Sequence, residues 1–225
     1  MNFLAHLYLS PSHPEFRVGS FAADGFKGAI SPHLPFHLRK GIEAHRALDS
    51  FTDTHPVFRE STRLLSSGYG KWSGVIADII YDHFLASHWS QLSDIMLPSF
   101  SKMCYHDLNQ YMALLPAVTK RIFPYMLADD WLANYKYVTF LHRVFAGMNR
   151  RTQGKASMAG AAFFLSCHYA ELEEHFMRFF PEAYSFCLEF NASLSTENYI
   201  YPHHYSGIAL GMKPTLSHVE PVTFD

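Results

Sequence analysis

Along the first 190 positions, apolar residues recur at the three- and four-residue intervals of helices with one buried face. Met1 to Leu9 is a short apolar stretch closed by Ser10-Pro11, and its neighbours favour a helix. Phe16 to Asp24 predicts a second short helix with Asp24 near its end. Gly25 and Gly28 then loosen the chain into a loop containing Pro32 and Pro35. Leu38 to Phe51 follows as a helix, with Ile42 and Leu48 available for packing. His55-Pro56 opens another that reaches Leu65, since proline suits the first helical turn, and Ser66 to Gly70 ends it.

Trp72 to Ser90 reads as one long apolar-rich helix. Beyond Pro98, Phe100 to Leu115 offers Met103, Leu108, Tyr111 and Leu115 to a core. Pro116 does not demand a full break, because the pattern recovers from Val118 to Met126. Asp129-Asp130 caps a short helix from Trp131 to Tyr135, and Tyr137 to Arg150 forms the next. Met158 to Phe180 carries the stripe Tyr169, Leu172 and Phe176. Pro181 interrupts it locally before Tyr184 to Glu189. From Asn191 the helical periodicity fades and turn formers accumulate. The expectation is an all-α single domain over residues 1–190 and a nonhelical tail over 191–225, extended or loosely ordered, packed through Tyr199, Tyr201 and Tyr205.

Composition agrees with a packed core: 48% of the 225 residues are hydrophobic, with 20 Phe and 13 Tyr. A formal net charge of -2 gives no bulk signal for nucleic acid or an anionic membrane. The three cysteines, Cys104, Cys167 and Cys187, form no close-spaced metal motif, and their odd number opposes a full disulfide framework. These features point to a reducing cytoplasm. No apolar run reaches transmembrane length. The opening MNFLAHLYLS lacks a basic lead-in and reads as mature protein, not a signal peptide.

Polar chemistry concentrates in two helical stretches. In GIEAHRALDSFTD, His45, Asp49 and Asp53 are spaced by four residues and so share one face. In DIIYDHF, Asp78 and Asp82 share a face, while His83 is turned by about 100° from Asp82. Charged faces within apolar sequence need partners, and a divalent cation is the simplest one. Ion pairing of Asp49, capping by Asp53 and a semi-polar core place for His83 are the competing structural explanations. His6 and Asp24 could complete an ion's shell from N-terminal elements. His6 could equally be a neutral core histidine, and Asp24 a turn cap. Mixed carboxylate and imidazole donors favour Mn²⁺, with Fe²⁺ or Mg²⁺ as alternatives. No phosphate-cradling glycine loop, H-E-x-x-H or G-x-S-x-G motif is present.

Several segments together carry a resemblance: MNFLAHLYLS, VGSFAADGFKG, GIEAHRALDSFTDTHP and IIYDHFLASHW, supported by GMNRR and HYAELEEHFMRFFP. In this order they are similar to the acyl carrier protein phosphodiesterase family, over roughly Met1 to Tyr184. That family is similar to metal-dependent HD-type phosphohydrolases, so an HD-like helical body is implied. The adjacent pair here runs Asp82-His83, the reverse of the wider superfamily's His-Asp. The resemblance implies hydrolysis of holo-acyl carrier protein to 4'-phosphopantetheine and apo carrier. It implies metal ligands at His6, Asp24, His45 and Asp82, with catalytic or supporting roles for His83, Asp78 and Asp49.

The carrier is acidic, so Lys27, Arg46 and Arg150 are expected to meet carrier or phosphate, with Arg39, Lys40, Arg59, Arg63 and Arg151 as further basic positions. Ordinary surface solubility is the competing explanation for each. No transmembrane association is expected; a homo-oligomer is compatible with the sequence. Two alternatives remain open on the residues: a phosphohydrolase for a nucleotide or other small phosphodiester, and a carrier-binding module without turnover.

Overall fold

The first three helices are α1 (Phe3–Tyr8), α2 (Pro14–Ala22) and α3 (Phe36–Thr54). Two glycines set how the last two meet. A Cβ added at Gly19 would come within 2.0 Å of the Leu38 carbonyl oxygen, and one at Gly41 within 2.1 Å of the Phe16 carbonyl oxygen. Backbone therefore touches backbone where α2 crosses α3, a separation that only glycine permits. A turn of 3-10 helix, Ala23–Gly25, closes α2 and carries Asp24 to the side of α3. This computed structural model describes residues 1–154, 157–194 and 199–201.

The succeeding elements are α4 (Pro56–Tyr69), α5 (Ser73–Ser87), α6 (Trp89–Leu92), α7 (Leu97–Gln110), α8 (Ala117–Ala128), α9 (Trp131–Asn134), α10 (Val138–Arg151), α11 (Ala161–Cys167) and α12 (Tyr169–Ser193). No strand occurs among the described residues, so the class is all-α. Pro56 occupies the start of α4, as expected from its missing N–H. Asp130 caps α9 by accepting the Ala133 N–H at 3.4 Å.

Several expected boundaries are corrected. Trp72 to Ser90 is not one helix: a 3-10 turn at Gly70–Trp72 precedes α5, and His88 separates α5 from α6. Pro116 does mark a full break, with Leu115 extended at φ -69°, ψ 143° and α8 beginning just after it. A residue before proline is driven from the helical region, which apolar periodicity cannot show. His168 divides the expected Met158–Phe180 helix into α11 and α12. Conversely, Pro181 lies inside α12 without ending it, and the helix runs to Ser193, past the expected boundary at 190.

Packing explains the tolerance of Pro181. Phe176, Phe179 and Phe180 on α12 are buried against Tyr81 and Phe84 of α5 and Tyr8 of α1. Each buried aromatic contributes about 1.5–3 kcal/mol relative to exposure, enough to offset one missing backbone bond. A buried Arg17–Asp107 pair, with Arg17 Nε donating at 2.8 Å, fastens α2 to α7. Cys104 and Cys187 lie in the core, where burial pushes both thiols up, that of Cys187 to about 12; Cys167 is exposed at the end of α11. From the tail, Ile200 accepts the Ser12 N–H at 2.6 Å, and the Tyr199 ring meets Phe16 edge-on. Tyr205 lies outside the described residues.

Candidate active site

Asp78 and Asp82 on α5 both serve the start of the chain. Four residues apart, they face the same way, and α1 lies across them. Asp82 accepts the backbone N–H of Leu4 at 2.7 Å and of Ala5 at 3.1 Å, satisfying first-turn donors that have no partner inside a helix. Asp78 Oδ1 lies 2.7 Å from the Met1 amine. Burial pushes the Asp82 carboxyl up to about 7, against the opposing pull of its two N–H donors. It also raises Asp78, where desolvation outweighs the neighbouring ammonium even though 27% of the side chain is exposed. The result is a fixed α1 that presents His6 to α3.

His45 and Asp49 project from one face of α3. The His6 and His45 rings stack with centroids 3.7 Å apart and planes 18° from parallel. Asp49 bridges them: Oδ1 is 3.1 Å from His6 Nε2, and Oδ2 is 3.0 Å from His45 Nε2. Asp24 Oδ1 approaches His45 Nε2 at 3.5 Å. Ligand atoms of His6, His45 and Asp49 fall within 4.8 Å of one another. His45 Nε2 is buried and makes no aligned hydrogen bond, despite its short distances to both carboxylates. That unaligned convergence at His45 Nε2 fits a cation, whereas His6 Nε2 also lies 3.0 Å from the Met1 carbonyl, to which it donates unless a cation takes the proton's place.

Without an ion, the two histidines separate electrostatically. Burial, together with His45, lowers His6 to about 4, so it is neutral at pH 7. Burial also opposes charge on His45, but Asp24 and Asp49 outweigh it and raise the imidazole to about 9. The same contacts hold Asp49 below the usual carboxylate range, again against its own desolvation. A raised imidazole stabilises the fold fully below its ordinary value of about 6.5, and that contribution disappears as pH rises through about 9.

Through Asp24 and Asp49 the cluster borders a cleft of about 1000 Å³. Asp24, Asp49, Asp53 and Asp78 line one part of it; Ile79, Ile122, Val144 and Met148 supply apolar wall; Lys71, Arg150 and Arg151 supply positive charge. Thus His6, Asp24, His45 and Asp49 come together, with Asp78 and Arg150 on the same cleft. Asp82 does not reach it, since its carboxylate faces the α1 backbone. His83 is also elsewhere: Nδ1 meets the Tyr135 carbonyl at 2.9 Å and Nε2 the Tyr169 hydroxyl at 3.1 Å. Its ring stays uncharged, lowered to about 4 by burial.

Lys27 is exposed outside the cleft lining, and Arg46 donates to the Phe26 carbonyl at 2.7 Å, bracing the loop beyond Asp24. Unanticipated cleft residues include Lys71, Gly74 and Arg143. Arg143 pairs with Asp129 at 3.0 Å and lies on the same α10 face as Gly147 and Arg150, a spacing that could have revealed it.

A family model described as acyl carrier protein phosphodiesterase matches residues 1–183. Among curated relatives, the acyl carrier protein phosphodiesterase of Yersinia pestis is 33% identical over 182 residues, covering 80% of this chain and 94% of the relative. The one from Escherichia coli O157:H7 is 34% identical over 185 residues, with coverage of 80% and 94%. A third, from Photorhabdus laumondii, is 30% identical over 182 residues, covering 80% and 92%. No solved structure matches.

Proposed function

Because the chain belongs to the acyl carrier protein phosphodiesterase family, we propose that it hydrolyses the phosphodiester of holo-acyl carrier protein. Water supplies oxygen to phosphorus, the bond to the carrier serine oxygen breaks, and that oxygen takes a proton. The products are 4'-phosphopantetheine and apo carrier. The observation that carries this reading is the convergence of His6, His45 and Asp49, with Asp49 itself lining a cleft large enough for a phosphopantetheine arm.

These three residues, with Asp24, are the groups to hold a divalent ion, and the mixed imidazole and carboxylate set favours Mn²⁺ over Mg²⁺ or Fe²⁺. When bound, such an ion offsets phosphodiester charge and acidifies a neighbouring water. Asp78, which lines the cleft as a carboxylate paired with the Met1 amine, is placed to accept and pass on a proton during the reaction. Arg150 and Arg151 provide charge-assisted donors for phosphate at the cleft wall. The ion-pair contact to Asp78 and the Asp82 bonds to α1 keep His6 in place while the substrate enters.

Incubating the Mn²⁺-loaded protein with holo carrier and following the carrier by mass tests the reaction. Loss of the phosphopantetheine mass is expected. Turnover of a nucleotide panel with no change in the carrier would replace this reading with a small-phosphodiester hydrolase.

Metal uptake should itself depend on pH. His45 must lose its proton to become a ligand, and its imidazole is raised to about 9. Between pH 6 and 8 the apparent Mn²⁺ affinity is expected to rise up to tenfold per pH unit, with about one proton released per ion. Calorimetry in two buffers of different ionisation enthalpy measures this release. A pH-independent affinity without proton release would remove His45 from the ligand set.

A further inference from the structure

A shallow groove of about 380 Å³ adjoins the cleft between α4 and the start of α5. It is lined by Arg59 and Arg63, with hydroxyls from Thr62, Ser66 and Ser73, and Gly74 lines both groove and cleft. The arginines are four residues apart, so they leave α4 in the same direction, separated by about 6 Å along the helix axis. Arg59 donates through Nε to the Asp53 carbonyl at 3.1 Å, which leaves its terminal nitrogens available. Arg63 is exposed and has no ion pair among the described residues. Glu60, the acid on the same helix, is engaged by Arg178 at 3.0 Å. Exposed Lys71 extends the positive surface to the cleft.

Like charges at this helical spacing repel each other, and no acid of the groove neutralises them. The pair therefore calls for an external anion of matching periodicity. A partner helix with carboxylates every three or four residues has that periodicity. Gly74 adds a route: a Cβ there would meet no atom within 4 Å, so no protein contact requires a glycine at the junction of groove and cleft. Glycine is disfavoured in helices, and the open space over it leaves room for a flexible chain to pass.

We propose that Arg59 and Arg63 dock an acidic helix of the carrier protein, directing its phosphopantetheine arm over Gly74 into the cleft. The carrier's identity rests on the function proposed above; the docking geometry rests on the groove. A fluorescently labelled apo carrier, which has no bond left to hydrolyse, measures docking by anisotropy without chemistry. Arg63→Glu should weaken its binding at least ~10-fold at low salt and reduce the salt dependence. Lys102→Glu, the same charge change at an exposed position on α7, should leave binding and turnover unaltered. For holo carrier, kcat/KM of R63E should fall by a similar factor relative to its kcat/KM for bis(p-nitrophenyl) phosphate, with circular dichroism confirming the helical fold.

Equal weakening by R63E and K102E would assign the effect to net charge and overturn the docking site, as would wild-type binding by R63E. R63E-sensitive binding without holo-carrier turnover would leave docking in place and overturn hydrolysis. Turnover with R63E-insensitive binding would do the reverse, and neither binding nor turnover would overturn both.

Discussion

Asp49→Asn is expected to lower kcat/KM for holo-acyl carrier protein about 1000-fold, an effect of about 4 kcal/mol on the transition state. One carboxylate oxygen approaches His6 Nε2 and the other approaches His45 Nε2, at 3.1 and 3.0 Å. Asparagine keeps the shape but removes the charge and replaces one oxygen with a donor group. Mn²⁺ binding should weaken in parallel. In the metal-free protein the His45 imidazole should fall from about 9 towards its ordinary value, because one of its two acidic neighbours is gone. NMR titration of the imidazole separates that electrostatic effect from a general loss of structure. Wild-type Mn²⁺ affinity in D49N would exclude the bridging carboxylate as a ligand.

Asp82→Asn provides the contrast. Its change should appear chiefly as lower thermal stability, since Asp82 accepts two N–H bonds at the start of α1.

The second large effect concerns Gly41→Ala, which places a methyl group 2.1 Å from the Phe16 carbonyl oxygen and 2.7 Å from the Ser20 nitrogen. Neither atom belongs to a side chain that can rotate away, so α2 and α3 must separate. The expected loss is about 3 kcal/mol, at the upper end of ordinary overpacking, measured by the midpoint and slope of urea unfolding. Separation also moves Asp24, at the end of α2, relative to His45 on α3. Any folded G41A protein should therefore bind Mn²⁺ less tightly. Stability and metal affinity both equal to wild type would show that the helices can absorb the methyl group without displacement.

The helix that brings His45 and Asp49 into register was legible because spacing by four survives almost any tertiary context. The duty of Asp82 was not. A carboxylate on a largely apolar helix needs a partner, and the α1 backbone meets that need as well as a cation would. Which partner is present depends on where α1 docks, a long-range fact with no local periodicity. The prolines illustrate the same division. Local sterics hold Leu115 extended before Pro116 and end the 3-10 turn Met112–Leu114, whereas at Pro181 the surrounding aromatic core sustains a helix. Lys71 and Arg143 escaped notice because each is an ordinary surface cation until α10 and the turn before α5 line the same cleft.

The distribution of the three thiols makes the unmodified chain suitable for single-site labelling. Core burial keeps Cys104 and Cys187 protonated and shielded, while Cys167 remains exposed. A maleimide dye added to the folded protein should attach once per molecule, at Cys167, and reach all three sulfurs only after denaturation. Intact-mass spectra under the two conditions check that count, and the labelled protein gives a fluorescent reporter beside α10 without introducing or removing a residue.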